Sequence, residues 1–328
     1  MYGAAATWRR QWYGRHPSRR RRLSRPVVSV GNLSVGGSGK TPIVEYIARL
    51  LLQSGERPAI LTRGYGRRRS RAGVTVVSDG RAVRADVDLS GDEPLMLARA
   101  LPGVAVVVGA SRYADGRLAE DELGATVHVL DDGFQHLQVA RAVDLLVVSE
   151  EDLSDMPLPA GRLREPLTAA VAADAVLVTA GYASAVDRIA RGMGVPTAFQ
   201  VTRALGAPRT VAAHPDSVVV PPETRVFLVA GIARPERFFG DIESAGWHVV
   251  GTMPFRDHYR YRQSDVARMA SAARSAAAAI VLTTEKDAVR LERCDLSGLP
   301  IAAVPLIIGI EPADRFRTWL LESLDRAR

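Results

Sequence analysis

The chain has 328 residues, of which 47% are hydrophobic and 24% charged, so it has apolar material for a large core and the length of about two domains. Its formal net charge of +7 and its pI near 10.0 favour anionic partners such as nucleotides, phosphorylated substrates or lipid headgroups. A single cysteine, Cys294, excludes an intramolecular disulfide framework and a cysteine-based metal cluster, and no apolar run has the length of a membrane-spanning helix or the form of a signal peptide.

Residues 1–25 form a basic and aromatic arm. Trp8, Trp12 and Tyr13 stand among arginines, and residues 19–22 are all arginine. Rings and guanidinium groups in this mixture suit the interface of an anionic membrane. A solvated arm ahead of the first strand is the alternative. A basic run can also bind nucleic acid, but the arm has no recognition-helix pattern, so we expect no nucleic-acid partner.

The most informative segment follows the arm. A strand predicted over Pro26–Val30 leads into a glycine-rich turn, and a helix is predicted over Pro42–Leu52. Backbone N–H groups of such a turn and the positive end of the helix face phosphates, so a nucleotide is expected here. Ser34 departs from the strict pattern, which has glycine at that position. The predicted nucleotide-binding residues are Ser34, Val35, Gly36, Gly37, Ser38, Gly39, Lys40 and Thr41, with Thr41 also a ligand of Mg²⁺.

Apolar runs and helical patterns alternate through the first 200 residues, which predicts an α/β fold with a parallel sheet covered by helices on both faces. The further strands are predicted at Pro58–Thr62, Val104–Val108, Thr126–Leu130, Val143–Val148 and Ala175–Thr179, and the further helices at Glu93–Ala100, Arg112–Asp121 and Ala183–Gly192. Val74–Val77 and Ala82–Ala85 predict a small inserted hairpin.

A segment rich in proline and glycine, residues 203–223, is interpreted as a linker between a nucleotide-binding domain, 26–202, and a smaller C-terminal α/β domain, 224–328. The second domain is predicted to hold strands at Val226–Val229, His248–Gly251, Ala279–Leu282 and Ile301–Ile308, and helices at Pro235–Ser244, Ser264–Ala276 and Ala313–Leu324.

Carboxylates stand at two informative positions. Asp131 and Asp132 directly follow a predicted strand, and the carboxyl ends of parallel strands line a ligand crevice, so we expect them to face Lys40 and Thr41 and to hold Mg²⁺. Asp92 and Glu93 lie at the start of a predicted helix. One of them could be a general base or a metal ligand, although acidic residues also cap helices without any catalytic role.

Several further motifs follow strands, where a cleft would lie. Arg63 and Tyr65 are candidate contacts to a phosphorylated sugar, and Arg164 lies in a second arginine-bearing loop. His258 stands next to an aspartate. Segments of this kind are more often ordinary surface turns than sites.

Eight motifs occur in one order: N-L-S-V-G-G-S-G-K-T, T-R-G-Y-G, G-D-E-P, D-D-G-F-Q-H, L-P-A-G-R-L-R-E-P, G-I-A-R-P-E-R-F, F-R-D-H-Y and T-T-E-K-D-A-V-R-L. Together they resemble the tetraacyldisaccharide 4′-kinase family of Gram-negative bacteria, from about Pro26 to the last helix. The serine at position 34 is similar to the hydroxyl residue that the family carries in its loop.

The resemblance implies transfer of the γ-phosphoryl group of ATP, with Mg²⁺, to the 4′-hydroxyl of a lipid-linked disaccharide 1-phosphate, at the cytoplasmic face of the inner membrane. It implies two α/β/α domains with the active site between them. It also implies roles for individual residues: phosphate and metal binding for Lys40 and Thr41, a catalytic base at Asp92 paired with His258, metal ligation by Glu93 and Asp131, and support from Asp132 and His136. No protein partner is inferred.

Family members usually begin with a longer apolar helix that lies on the inner membrane, whereas here only the short piece Met1–Thr7 precedes the arginines. Peripheral membrane contact through charge and aromatic rings is therefore expected. The alternative function is a membrane-docked P-loop ATPase or GTPase switch, which would need no acceptor hydroxyl.

Overall fold

The computed structural model describes residues 2–36, 39–67, 73–179, 183–212 and 216–328. The predicted loop residues Gly37 and Ser38 lie outside the described residues. Within the described part, the strands are β1 (Val27–Asn32), β2 (Pro58–Thr62), β3 (Thr75–Asp79), β4 (Ala105–Val108), β5 (Val127–Asp131), β6 (Val143–Ser149), β7 (Ala175–Thr179), β8 (Ala198–Leu205), β9 (Arg209–Thr210), β10 (Arg225–Ala230), β11 (His248–Pro254), β12 (Ile280–Thr284), β13 (Ile301–Val304) and β14 (Leu306–Glu311).

The helices surround these strands. In the described residues they are α1 (Tyr2–Arg15), α2 (Lys40–Gln53), α3 (Val87–Ser90), α4 (Asp92–Ala100), α5 (Arg112–Asp121), α6 (Glu150–Leu153), α7 (Ala183–Met193), α8 (Pro235–Ser244), α9 (Gln263–Ser275), α10 (Glu285–Leu291) and α11 (Ala313–Asp325). Two 3₁₀ turns lie at Pro17–Arg19 and Leu167–Ala172.

The described strands form two sheets. The large sheet has the order β14-β8-β7-β6-β1-β5-β2-β4-β3, and the small sheet has the order β11-β10-β12-β13-β9. Neighbours are parallel except at β3, β9 and β14, which pair antiparallel at sheet edges. The central strands β1, β2 and β5 are buried along their whole length. This is the predicted parallel sheet with both faces covered.

The parallel strands direct their carboxyl ends toward one region. Asn32, Thr62 and Asp131 end three adjacent strands of the large sheet, and Ala230 and Thr284 end adjacent strands of the small sheet. A cleft of about 1310 Å³ lies between these two edges and is lined from both sheets. In open parallel sheets ligands bind at this position, because the strand-to-helix loops converge there.

The end of the chain differs from the prediction. The strand predicted over Ile301–Ile308 is two strands separated by Pro305: β13 lies between β12 and β9 in the small sheet, whereas β14 pairs with β8 in the large one. Helix α11 then packs on the large sheet, where Phe316 is fully buried beside Phe199. The predicted division at 203–223 is therefore not a division between sheets, because the last 23 residues return to the first one.

Two shorter predictions also need correction. The inserted hairpin is wrong in its second half: β3 joins the edge of the large sheet beside β4, while Ala82–Ala85 contributes only a single bridge between Val83 and Ser78. Residues 203–223 are not purely a linker, since β8 extends to Leu205 and β9 joins the small sheet.

The arm is not simply solvated. It forms α1, in which Arg10 makes an ion pair with Glu165 and lies 4.1 Å from the ring centre of Phe134. Arg9 donates to the carbonyl of Gln135 at 2.9 Å. These contacts hold α1 against the loops of the cleft. Across the described chain, the helices are too short or too polar to traverse a bilayer.

Candidate active site

The phosphate loop joins the end of β1 to the start of α2. Gly39 has a φ of 72° and immediately precedes Lys40, the first helical residue, so the loop turns there through a conformation that glycine adopts without steric cost. Ser34 is buried, pairs with Leu163 and accepts a hydrogen bond of 3.1 Å from Asn32. Of the predicted nucleotide-binding residues, the described ones (Ser34, Val35, Gly36, Gly39, Lys40 and Thr41) all line the cleft.

The ammonium of Lys40 has two partners at the loop. It donates to Asn32 Oδ1 at 2.7 Å and lies 3.1 Å from Asp132 Oδ1. Asp132 is also held by Arg164, whose two terminal nitrogens each lie 2.8 Å from a different carboxylate oxygen. Burial tends to raise the pKa of Asp132, but Arg164 and Lys40 outweigh burial and hold it well below its ordinary value. Asp132 is therefore a fixed anion that keeps Lys40 beside the loop.

The pKa of Asp131 is raised, whereas that of its neighbour Asp132 is lowered. Asp131 ends β5, is buried, and accepts a hydrogen bond of 2.9 Å from the Thr62 hydroxyl. Burial, followed by the charges of Glu93 and Asp132, raises its pKa to about 6 despite the opposing charge of Lys40. Adjacent carboxylates with too little nearby positive charge produce such a shift. A cation bound here would offset the repulsion from Glu93 and Asp132, although burial is the larger cause of the raised pKa.

The cleft holds a set of oxygen donors that suits a magnesium ion. Thr41, Glu93 and Asp131 all line the cleft and offer the oxygen donors that Mg²⁺ prefers. Within the described chain, no group of three or more His, Cys, Asp or Glu side chains could hold a metal ion by itself. Magnesium usually takes only one or two carboxylates and completes its shell with phosphate and water, so this donor set fits.

A second cluster lies where the small sheet meets α4. His258 Nδ1 is 3.1 Å from Asp92 Oδ2, and Lys286 Nζ lies 3.3 Å from His258 Nε2. Because a lysine ammonium can only donate, Nε2 accepts and Nδ1 carries the hydrogen that Asp92 receives. Lys286 also donates to Glu93 at 2.9 Å. Burial tends to lower the pKa of Lys286, but the charges of Glu93 and Asp92 outweigh burial and raise it.

Asp92 itself is almost closed off from solvent. It is 4% exposed, stands outside the cleft wall, and receives hydrogen bonds from Arg290 as well as from His258. Burial would raise its pKa, but the hydrogen bond from His258 and the charges of Arg290 and Lys286 lower it far below the ordinary value. His258 lies in the cleft wall and covers Asp92. The two predicted partners are therefore in contact, with the histidine nearer to the cleft.

Gly91 allows this cluster to form beside the T-R-G-Y-G loop. Its φ is 88°, and a Cβ at this position would lie 2.6 Å from the carbonyl oxygen of Tyr65. Only glycine permits both the conformation and the close approach. The loop that bears Arg63 and Tyr65 is thereby packed against the start of α4.

The end of the cleft near α1 holds Arg63 and His136, since the charges of Arg63 and of Arg9 both act on that histidine. Arg63 and Tyr65 are exposed and line the cleft, together with the half-buried His136. Burial and the charges of Arg112 and Arg63 lower the pKa of His136 to about 4, so its ring is neutral at physiological pH. This end of the cleft is strongly cationic and suits an anionic ligand.

Sequence reasoning gave no role to three residues that the structure places at the site: Asn32, Lys286 and Arg290. All three stand inside motifs that were recognised, N-L-S-V-G-G-S-G-K-T and T-T-E-K-D-A-V-R-L. Position within a recognised motif was therefore the available signal. Their partners are far away in sequence, since Arg290 meets Asp92 over a separation of 198 positions.

Comparisons with known proteins agree with one another. A family model described as tetraacyldisaccharide-1-P 4′-kinase (LpxK) matches residues 1–325. The tetraacyldisaccharide 4′-kinase of Geobacter sulfurreducens is 40% identical over 324 residues, covering 96% of this chain and 88% of that protein. The protein of the same name from Syntrophus aciditrophicus is 35% identical over 344 residues, covering 99% of this chain and 91% of that one.

A solved structure is also similar over nearly the whole chain. It is described as the "apo" form of LpxK from Aquifex aeolicus in complex with ATP. The TM-score is 0.79 at 30% sequence identity, and the match covers 98% of this chain and 96% of the other. The similarity thus includes both sheets and the cleft between them.

Proposed function

The chain belongs to the tetraacyldisaccharide 4′-kinase family, and we propose that its cleft brings ATP on the phosphate loop to an acceptor hydroxyl held beside His258. The protein is an ATP-dependent lipid kinase of lipid A biosynthesis, which phosphorylates the 4′-hydroxyl of tetraacyldisaccharide 1-phosphate. The observation that carries the proposal is a single cleft lined by Lys40 from one sheet and by His258 from the other. The reported relatives are kinases, so the switch alternative gains no support.

The nucleotide half of the proposal rests on the loop. The first turn of α2 presents unsatisfied backbone N–H groups and the positive end of the helix dipole, which favour the phosphates of ATP. Lys40 is held at the same place by Asn32 and Asp132. The phosphates would therefore meet a cation that is already positioned.

Thr41, Glu93 and Asp131 are proposed to hold Mg²⁺. The buried, electrostatically unfavourable carboxylate of Asp131 supports this assignment, because a divalent cation would offset its repulsion with Glu93 and Asp132. When bound, the ion neutralises charge on the β- and γ-phosphates. The chain's own contribution is to hold these oxygens at the mouth of the loop.

The acceptor half rests on His258. Its Nδ1–H is donated to Asp92, so the lone pair of Nε2 faces Lys286 and the cleft. We assign Nε2 as the atom that accepts the proton of the 4′-hydroxyl while the hydroxyl oxygen bonds to the γ-phosphorus. The single lone pair of Nε2 takes that proton only after the Lys286 ammonium releases it and keeps its contact with Glu93. The bond from that phosphorus to the bridging oxygen breaks, and ADP leaves with the electron pair. Asp92 then stabilises the imidazolium.

This assignment differs from the one implied by the family resemblance, in which Asp92 is the base. Asp92 Oδ2 already accepts hydrogen bonds from His258 and from Arg290, and it has a strongly lowered pKa. A carboxylate in that situation binds a proton weakly. The contacts therefore favour Asp92 as the group that orients the histidine and stabilises its positive charge.

The acceptor lipid is proposed to enter at the cationic end of the cleft. Arg63 and His136 lie there near Arg9 of α1, and Tyr65 lines the same cleft. Guanidinium groups bind phosphate through paired hydrogen bonds, so this end suits the anionic disaccharide 1-phosphate. Its position next to α1 would leave the acyl chains near the arm.

We further propose that α1 and the arginines after it contact the cytoplasmic face of the inner membrane. Trp8 is 67% exposed on α1, and Arg15 and Arg19 are exposed nearby. Aromatic rings and basic side chains together favour anionic lipid surfaces. This contact would place the opening of the cleft close to a lipid-embedded substrate.

The assay that tests the proposed function uses labelled ATP, Mg²⁺ and purified tetraacyldisaccharide 1-phosphate in detergent. The wild-type protein should form the bis-phosphorylated product and should consume ATP slowly without the lipid. The variant His258→Gln should bind ATP as the wild type does and lose most of its turnover. Lipid-independent ATP hydrolysis at the full rate would contradict the proposal.

A further inference from the structure

Arg290 joins the small-sheet side of the molecule to the large-sheet side at the site. It belongs to α10, which follows β12 of the small sheet, whereas its partner Asp92 begins α4 on the large sheet. Arg290 Nε donates to Asp92 Oδ2 at 2.7 Å, and Nη2 contacts the same oxygen. Both side chains are buried. An ion pair in this setting is fixed in geometry, because no water competes for its partners.

The guanidinium is held from behind by the small sheet. Its Nη1 donates to the carbonyl of Gly231 at 2.8 Å and to Asp287 Oδ1 at 3.1 Å. Asp287 is held in turn by the Tyr261 hydroxyl at 2.9 Å and by the Thr284 hydroxyl at 2.7 Å. Every one of these groups comes from the small-sheet side of the cleft. These contacts on the small-sheet side therefore fix the orientation of the Arg290 guanidinium independently of Asp92.

The hydrogen bonds to Asp92 fix the position of its carboxylate. Oδ1 accepts from the backbone N–H of Glu93 at 3.0 Å, while Oδ2 accepts from both Arg290 and His258. The carboxylate is thus pinned at one oxygen by its own helix and at the other by Arg290. With the carboxylate plane fixed, the Nδ1–H of His258 has one favourable orientation, and Nε2 is directed toward the cleft.

We propose that Arg290 is a positioning residue for phosphoryl transfer, which fixes the Asp92 carboxylate across the cleft so that Asp92 can orient His258. The proposal rests on the role assigned to His258 above. It makes the orientation of the proton acceptor depend on contact between the two sheets, because Arg290 and Asp92 meet only there. Turnover, rather than ATP binding, is then the quantity that Arg290 controls.

The competing explanation is that Arg290 only compensates a buried charge. A buried ion pair that loses one partner destabilises a protein whatever its role. Thermal stability therefore does not separate the two explanations. A split between kcat and KM, and recovery of kcat by an added guanidinium ion, do separate them.

The experiment compares Arg290→Ala and Arg290→Lys with Arg293→Ala in the lipid kinase assay. Arg293 is the matched control, since it follows the same helix, pairs with Asp88 of α3 at 2.8 Å, remains exposed and lies outside the cleft wall. We expect Arg290→Ala to lower kcat by about 100-fold, the lower end of the contribution of a general base, with KM for ATP within about twofold of wild type. Arg290→Lys should fold and lose about tenfold in kcat, because one ammonium cannot reproduce the fork. Arg293→Ala should keep wild-type kcat.

Added guanidinium should restore part of kcat in Arg290→Ala and none in His258→Gln. If Arg290→Ala does not fold, Arg290→Lys decides alone: a wild-type kcat in that variant overturns the proposal. Equal losses in kcat and in ATP binding also overturn it.

The double variant His258→Gln/Arg290→Lys separates this inference from the proposed function. If Arg290 acts through His258, the double variant should be no slower than His258→Gln alone. An active His258→Gln would refute the proposed function itself. A slow but measurable His258→Gln, together with fully additive losses in the double variant, would refute only the role of Arg290.

Discussion

His258 Nδ1 lies 3.1 Å from Asp92 Oδ2, although 166 positions separate the two residues in the chain. The contact joins the loop after β11 to the first residue of α4, and so it joins the small sheet to the large one. Lys40 and Thr41 line the same cleft. One cavity thus brings together a phosphate loop and an oriented imidazole, which are the two parts that phosphoryl transfer to an alcohol requires.

Replacing Lys40 should abolish nucleotide use without unfolding the protein. In Lys40→Ala, Asp132 keeps its two hydrogen bonds from Arg164, so we expect the thermal midpoint to stay close to wild type. Loss of a cation at the transferring phosphoryl group should lower kcat/KM by at least about 100-fold. Steady-state kinetics with varied ATP would measure the loss. Arg188→Ala, which breaks an exposed ion pair with Glu150, is the control and should leave the kinetics unchanged.

The losses in kcat of Asp92→Asn and His258→Gln, compared with each other, should identify the base. If Nε2 of His258 accepts the proton, His258→Gln should lose about 100-fold or more in kcat and Asp92→Asn should lose no more than that. ATP binding, measured by calorimetry, should be retained in both variants. A much larger loss in Asp92→Asn than in His258→Gln would instead assign the base to Asp92.

Asp131→Asn should weaken the use of magnesium. The amide keeps the shape of the side chain but removes one anionic donor, so more Mg²⁺ should be needed for half-maximal activity. Removal of Mg²⁺ by a chelator should stop turnover in the wild type, and added Mg²⁺ should restore it. Asp155→Asn serves as the control, because that carboxylate lies outside the cleft wall. An unchanged Mg²⁺ requirement in Asp131→Asn would exclude Asp131 as a ligand.

The carboxyl of Glu285 should make stability depend on pH. Burial, followed by the charge of Glu45, raises its pKa from 4.5 to about 7. The folded state therefore holds the proton more tightly than the unfolded state, and this contribution is complete below pH 4.5 and lost as pH rises through about 7. Glu285→Gln, which stays neutral, should raise the thermal midpoint at pH 8 more than at pH 5. Glu45→Gln should shift the midpoint in the same direction, and equal shifts at both pH values would contradict the assignment.

Membrane binding should depend on the exposed arginines at the C-terminal end of α1 and just after it. At about 1 kcal/mol for each arginine near an anionic surface, Arg15→Gln/Arg19→Gln should weaken binding to phosphatidylglycerol vesicles by about 30-fold. Co-sedimentation would measure this effect, with phosphatidylcholine vesicles as the uncharged reference. Arg188→Gln/Arg274→Gln removes the same charge from exposed positions elsewhere and should bind as the wild type does. Equal binding by both pairs would show that the arm is not the contact.

Much of the fold could be predicted because its signals are local. The turn before Lys40, the apolar runs of β2 and β7 and the helical pattern of α5 each depend on neighbouring residues, and their predicted bounds agree with the structure to within one or two positions. The ordered motifs also predicted the family, which the comparisons confirm.

The errors arose where a segment's partner is distant. Nothing local in Ile301–Ile308 indicates that its two halves pair with different sheets, since both halves are equally apolar. The helical arm was likewise missed as a packed element, because its anchors Phe134 and Glu165 lie more than 120 positions away. Arg290 lay inside a recognised motif, but nothing in the sequence indicated its contact with Asp92.

The sequence by itself determined the nucleotide loop, the class of fold and the chemistry of the candidate side chains, because each depends on residue types at short spacing. Only the tertiary structure decided that Asp92 is buried behind His258 and receives a hydrogen bond from Arg290. It also decided that Lys40 contacts Asn32 and Asp132. Which partner is buried and which faces the cleft depends on how two sheets approach each other. That approach is set by packing over the whole chain and is not encoded at any one position.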